Sequence, residues 1–177
     1  MANLEDAPTT EKMIGSLSAL FRYNLKNVEH KIALAQELKI ARDYMYLQQM
    51  RFGSRIEYQE DIRVNVDEVI VPSYLLQPLI ENSIIHGLAR KEKGGWVKVR
   101  VKWVNNDLHV IVGDNGIGIP RKQLETIRKT FETGDFKGIG VGNIYKRIRS
   151  NMWKGSMTIS SKENMGTIIR IIIPNNR

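Results

Sequence analysis

Apolar residues recur at spacings of three and four in two stretches near the N-terminus. Met13, Leu17, Leu20, Phe21, Leu25 and Val28 make one stripe. Leu34, Leu38, Ala41, Tyr44, Met45 and Leu47 make a second, between about Ile32 and Phe52. That period predicts two long amphipathic helices, which either dock on the rest of the chain or bury their stripes against a partner as a hairpin or coiled coil. Past Gly53 the pattern changes. Arg55–Val64 partly alternates and reads as a strand, and Val69-Ile70-Val71 as a short extended piece. Pro72 suits the first turn of a helix. The run Tyr74–His86 is too apolar for a surface helix, and Pro78 in its middle predicts a kink.

Gly94-Gly95 breaks the chain again. Trp96–Val104 and Leu108–Val112 alternate around Asn105-Asn106-Asp107 as a hairpin, with Val97, Val99 and Val101 on one face and Lys98, Arg100 and Lys102 on the other. Pro120–Lys129 reads as a short helix and Phe131–Lys137 as a mobile loop. Val141–Met152 reads as an amphipathic helix stopped by Gly155. Met157–Ser161 and Thr167–Ile173 are the last strands, ended by Pro174. The order of helices, strand, helix, hairpin, helices and hairpin predicts an α+β fold. It is a two-layer α/β sandwich, a mixed sheet with helices on one face, preceded by N-terminal helices. Residues 1–54 form the helical segment and 55–177 the main domain.

Bulk properties narrow the chemistry. The 177 residues (20.3 kDa) suffice for one domain with an appendage. The absence of cysteine excludes disulfides, thiolate metal sites and a cysteine nucleophile. No apolar run approaches the roughly 20 residues that span a bilayer, so a cytosolic setting is expected. The net charge of +8 fits an anionic partner. Its distribution is local: Arg121, Lys122, Arg128, Lys129, Lys137, Lys146, Arg147, Arg149 and Lys154 face only Glu125, Glu132 and Asp135 in the same stretch. That excess flanks a glycine cluster, where a triphosphate needs compensating charge.

Three polar features stand in apolar or glycine-rich surroundings. Asp114-Asn115-Gly116-Ile117-Gly118 follows the apolar run Leu108–Val112. A carboxylate at a strand end can accept a hydrogen bond from an adenine amine, and glycines after it let a flat ring approach the backbone. A plain turn would use the same residues. Glu81-Asn82 precedes His86, four residues beyond Asn82 and on the same helix face. An amide oxygen suits a magnesium ion that keeps most of its water and bridges phosphates, although capping or a buried network would also account for the pair. Gly138-Ile139-Gly140-Val141-Gly142-Asn143 runs into a helix, whose unpaired amides and positive dipole end attract phosphate. It lacks the Gly-Lys-Ser/Thr of a Walker loop and follows a polar loop, not the strand of a dinucleotide-binding unit.

Taken in order, Asn on a helix, DNGIG after a strand, GIGVGN opening a helix and Gly166-Thr167 opening a strand resemble the ATP-binding fold of histidine kinases, DNA gyrase B, Hsp90-type chaperones and MutL. The resemblance spans about Leu75 to Pro174. It implies that 55–177 is an ATP-binding catalytic domain with a lid over Ile119–Lys137. It further implies that Asn82 ligates Mg²⁺, that Asp114 binds adenine with Thr167 close by, and that Gly116 and Gly118 line the base pocket. Gly138, Gly140 and Gly142 would hold phosphates, helped by His86 and Arg147 because Ile85 stands where many relatives have a lysine.

Leu76–Gly87 (LQPLIENSIIHG), with Leu17–Tyr23 (LSALFRY) and Leu47–Phe52 (LQQMRF) upstream, is similar to the LytS/YesM-type sensor histidine kinases, from about Met13 onward. In gyrase- and MutL-type ATPases a glutamate four residues before the Mg²⁺-binding Asn activates water. Here that position is Pro78, which disfavours hydrolysis. The family's phosphate-accepting histidine sits in a Pro-His-Phe segment before the Leu-Ser-x-Leu region, and His30, His86 and His109 all lack that context. The resemblance therefore implies a catalytic fragment of a two-component kinase. It would pass the γ-phosphoryl of ATP to a histidine elsewhere and thence to a response-regulator aspartate. The full-length protein would be a homodimer anchored in the bacterial inner membrane, and no nucleic-acid partner is expected. An ATPase switch of the same fold, or a non-enzymatic basic regulatory or nucleic-acid-binding domain, are the alternatives.

Overall fold

The computed structural model describes residues 7–25, 31–134 and 141–175. Two helices open it, α1 (Pro8–Leu25) and α2 (Leu34–Phe52), which pack on each other. The predicted first stripe divides. Ser16, Leu20 and Tyr23 turn inward, whereas Ile14, Leu17, Phe21 and Leu25 remain exposed along the outer side. Val28 lies outside the described residues. Gly53 ends α2 with φ of +64°, a conformation that glycine enters without steric cost.

Ile32–Ala33, expected to open the second helix, instead forms a short strand, β1, antiparallel to β3 (Ile70–Val71). The Leu34 amide donates to the Val69 carbonyl at 2.8 Å, so this small ladder seats the start of α2. Between them lies β2 (Ile56–Arg63), which pairs in parallel with β4 (Gly95–Val104). β4 and β5 (Asp107–Asp114) form the expected hairpin, closed by Asn105 and Asn106, both at positive φ. That is the two-residue turn whose twist matches the flanking strands, and Asp107 belongs to the strand.

β6 (Ser156–Lys162) and β7 (Gly166–Pro174) complete a five-stranded mixed sheet in the order β2-β4-β5-β7-β6. Alternation assigns its faces. Val97, Val99, Val101, Leu108, Val110, Val112, Ile169, Ile171 and Ile173 are buried in one core with Leu34, Leu38, Leu75, Leu79 and Ile80 from the helical layer. On the other face Ile168 and Arg170 are exposed. This is the expected α+β sandwich.

Several helix expectations need correction. Pro72 begins no helix: α3 runs Gln77–Asn82 and Pro78 sits in its first turn. Proline lacks an N–H, and first-turn amides have no intrahelical acceptor, so Pro78 starts the helix and does not kink it. Ser83–Leu88 continues with wider π-type bonding, such as Ala89 N–H to Ile84 O at 2.8 Å. The α-helical spacing between Asn82 and His86 therefore does not carry through this turn. Farther on, α4 (Arg121–Thr133) is longer than expected, taking Phe131–Thr133 out of the proposed loop, and Gly134 caps it in the left-handed conformation. α5 (Gly142–Arg149) is shorter than expected, because Ser150 already leaves the helical conformation.

Candidate functional site

Asp114 ends β5 and is 5% exposed. Its Oδ1 accepts the Gly116 amide at 2.8 Å, and the Ser83 hydroxyl and Thr167 amide also donate to the carboxylate. Burial pushes its carboxyl above the usual range; those hydrogen bonds and the charge of Lys91 pull the other way without cancelling it. Thr167 lies opposite Asp114 in the β5–β7 ladder. Its hydroxyl is 2.9 Å from that of Ser161, which also contacts the Gly166 carbonyl and the Ile119 amide.

The helix carrying Asn82 runs directly past this carboxylate. Ser83, the next residue, touches it, and a Cβ on Gly87 would lie 2.9 Å from its Oδ1. Beyond it the Ile117 amide donates to the Gly87 carbonyl at 3.1 Å. The glycines of DNGIG have a different immediate cause from the one expected. A Cβ on Gly116 would fall 2.5 Å from the Gly87 backbone, and one on Gly118 would fall 2.0 Å from the Lys162 carbonyl, where φ is +66°. Bareness at both positions lets the chain pack on itself and so brings Asp114 against the helix. Asn115 fixes the turn from behind: its Oδ1 accepts the Trp96 amide at 2.8 Å, and its carbonyl accepts Lys91 Nζ at 2.6 Å.

Asn82 is half-buried and His86 exposed. Glu81 lies within electrostatic reach of Tyr44 on α2, whose phenol burial, helped by that carboxylate, pushes up to about 12. Pro78 lies in the first turn of α3, four residues before Asn82. Gly138 and Gly140 lie outside the described residues, while Gly142 begins α5 and is buried. The Arg147 guanidinium donates to the Ser73 carbonyl and sits 5.7 Å from the Tyr74 ring centre. Arg147 therefore ties α5 to the segment before α3. A cavity of about 460 Å³ opens beside Trp103, Met152 and Trp153, and one of about 400 Å³ beside Arg128, Tyr145 and Ser160; neither includes Asn82, His86 or Asp114.

Sequence reasoning missed Ser83, Gly87 and Ser161, whose roles depend on contacts across the fold. It also missed Glu37, which is fully buried in α2. A signal existed for Glu37: it falls within the apolar stripe of Leu34, Leu38 and Ala41, where a charge is out of place.

Residues 69–177 match the family model described as histidine kinase-, DNA gyrase B-, and HSP90-like ATPase, and residues 1–56 match that described as histidine kinase. The sensor protein LytS of Enterococcus faecalis is 34% identical over 175 residues, covering 96% of this chain and 29% of that protein. A putative uncharacterized protein of Bacillus subtilis, YwpD, is 32% identical over 153 residues, 85% of this chain and 53% of that one. The chain thus spans about half, or less, of these relatives' lengths. Among solved structures, the histidine kinase domain of a blue-light activated kinase from Erythrobacter litoralis superposes with a TM-score of 0.58 at 17% identity, covering 97% of this chain and 82% of that one. The catalytic domain of the histidine kinase ThkA superposes with a TM-score of 0.57 at 20% identity, covering 82% and 94%.

Proposed function

Because the chain belongs to the histidine kinase-, DNA gyrase B- and HSP90-like ATPase family, we propose that it is the ATP-binding catalytic part of a two-component sensor histidine kinase. In this reading residues 55–177 hold ATP and residues 1–54 belong to the dimerisation region. The supporting observation is convergence on one carboxylate. Gly87 from the Asn82 helix, Gly116 from the DNGIG turn and Thr167 from β7 all meet at Asp114, although they are spread across 81 positions of sequence.

Asp114 accepts the adenine amine, most strongly in its ionised form, while the Gly116 amide and Ser83 hydroxyl hold the carboxylate still. Gly142, at the start of α5, offers backbone amides to phosphate, with Gly138 and Gly140 assigned the same role. Asn82 supplies one neutral oxygen. Among the described residues no group of three or more His, Cys, Asp or Glu is placed to enclose a metal. The Asn82 amide oxygen would hold a Mg²⁺, a hard cation that suits a neutral oxygen donor and keeps most of its water. When bound, the ion supplies neutralisation of the triphosphate, the principal demand of phosphoryl transfer.

The acceptor is a histidine outside 1–177, and the phosphoryl group then passes to a response-regulator aspartate. His86 belongs to the Asn82 helix, where it and Arg147 were expected near phosphate; Arg147 reaches the site only through α5. His109 pairs with Lys102 and Ile172 in mid-sheet, five residues before Asp114 on β5, about 16 Å along an extended strand. Pro78 leaves no carboxylate to activate water, which favours transfer over hydrolysis. The exposed row Ile14, Leu17, Phe21 and Leu25 on α1 suits a second copy of the chain. Among the described residues no helix is long and apolar enough to cross a membrane; anchoring belongs to the longer protein.

ATP affinity with and without Mg²⁺ tests the site. Wild type should bind, Asp114→Ala should lose binding in both conditions, and Asn82→Ala should lose the gain from Mg²⁺ alone. Normal ATP binding by Asp114→Ala would refute the pocket.

A further inference from the structure

The start of α3 lacks a cap of its own. Leu76, the residue before it, makes no capping bond, and the chain arrives through Tyr74 at φ of +55°, a conformation costly for any residue but glycine. The support comes from a residue nearly forty positions away. Glu37 Oε2 accepts the amides of Leu75 and Leu76 at 2.9 and 2.8 Å, and Oε1 accepts the Tyr74 amide at 2.8 Å and the Tyr23 hydroxyl. Tyr23 is bound twice more: its own hydroxyl oxygen accepts the Tyr74 amide at 2.7 Å, and its carbonyl accepts the Tyr74 hydroxyl at 2.7 Å. The two rings lie 4.5 Å apart.

Every donor around Glu37 points at an oxygen, an arrangement that only an acceptor on both oxygens satisfies. The short segment Ser73–Leu76 is thereby fixed to α1 through Tyr23, to α2 through Glu37 and to α5 through Arg147. Asn82 follows within the next six residues of continuous helix, about 9 Å along its axis. Helices on both sides of the proposed nucleotide site therefore take their position from one junction.

We infer that Glu37 is a positioning residue for the metal end of the nucleotide site, holding the Asn82 helix to the α1–α2 pair through the Tyr23–Glu37–Tyr74 contacts, so that a change in the seating of α1 alters how ATP is bound with Mg²⁺. This rests on the ATP-binding reading above. It assigns no contact with ATP to Glu37 or Tyr23; both act through the start of α3. Of the three groups that donate to Asp114, only Ser83 belongs to this helix; Gly116 and Thr167 lie outside it, so the adenine end depends less on this junction than Asn82 does.

The test measures ATP affinity of the whole chain, with and without Mg²⁺, for wild type, Glu37→Gln and Tyr23→Phe. Both variants should lower the affinity gain from Mg²⁺ by roughly three- to tenfold, the effect of one or two hydrogen bonds, while Mg²⁺-free affinity stays within about twofold. Tyr23→Phe keeps the carboxylate and its three amide partners, so it carries the test even where Glu37→Gln fails to fold. A Tyr23→Phe protein with the wild-type Mg²⁺ gain, or with equal losses in both conditions, would overturn the inference. If wild type binds ATP and Asp114→Ala does not, the nucleotide reading survives that outcome. If wild type shows no Mg²⁺-dependent ATP affinity, both fall together.

Discussion

Glu37 and Asp114 are carboxylates of similar burial, 0% and 5% exposed, and burial pushes both above the usual carboxylate range. Their surroundings differ in kind. Glu37 lies inside the helical layer, where α1 and the segment leading into α3 donate to it. Asp114 lies at a strand end, with glycines 87, 116 and 166 packed around it. A Cβ on Gly166 would come 1.9 Å from its carbonyl oxygen. Donors from separate elements at Glu37 join those elements, whereas close glycine packing at Asp114 sets one side chain at a defined place. The same buried charge can thus serve as a joint or as a binding group.

Replacing Glu37 with Leu breaks the comparison most severely. It leaves the Leu75 and Leu76 amides and the Tyr23 hydroxyl without their acceptor, while the Tyr74 amide keeps the Tyr23 oxygen, and a loss of about 3–5 kcal/mol in stability is expected by urea unfolding. Asp114→Asn should do the reverse. The amide oxygen can still accept from Gly116, so stability should change by about 1 kcal/mol at most. ATP affinity, measured by calorimetry, should fall about 10- to 100-fold, because the adenine amine loses a charged acceptor.

A pH series sharpens the contrast. A carboxyl whose pKa is higher in the folded than in the unfolded chain contributes stability that is present below its unfolded pKa and is lost as pH rises through the folded one. Both residues should therefore weaken the nucleotide-free protein as pH climbs above the ordinary carboxylate range. ATP binding prefers ionised Asp114, so affinity should decline as pH falls through that residue's raised pKa, and Asp114→Asn should remove this dependence. A wild-type affinity flat across the same window would mean that Asp114 does not meet the base. Gly87→Ala is expected to have the smallest effect. Its new methyl group crowds Oδ1 at 2.9 Å, and a few-fold loss of ATP affinity should follow, with Asp114 shifting by a few tenths of an ångström.

The two carboxylates were unequally legible in the sequence. Asp114 sits within a local string whose other members, Asn115, Gly116 and Gly118, lie within five residues of it, and that string alone marks the place. Asn82 and Gly142 share this property, since each lies at a helix position where the sequence itself shows the helix. Glu37 does not. Its partners at 23 and 74–76 are reached only after α1 folds back on α2 and β1 pairs with β3, and a single glutamate in an amphipathic helix ordinarily faces water. Pro78 was misjudged for a related reason: the apolar run concealed that the helix begins at Gln77, because the cap that starts it belongs to α2. Arg147 is expected at phosphate by charge and proximity in sequence; its bond to the Ser73 carbonyl, 74 positions away, could not be read there.

Sequence alone determined the alternation that assigns one sheet face to the core, a hairpin turning around Asn105-Asn106-Asp107, and the local strings at Asn82, Asp114 and Gly142. These depend on residues a few positions apart, where backbone period and local sterics act. Tertiary structure alone decided which half of the α1 stripe is covered, why Gly116 and Gly118 must lack side chains, and where α3 begins. Each of those depends on an atom from a distant segment arriving within hydrogen-bonding or van der Waals distance, and such encounters carry no period in the sequence.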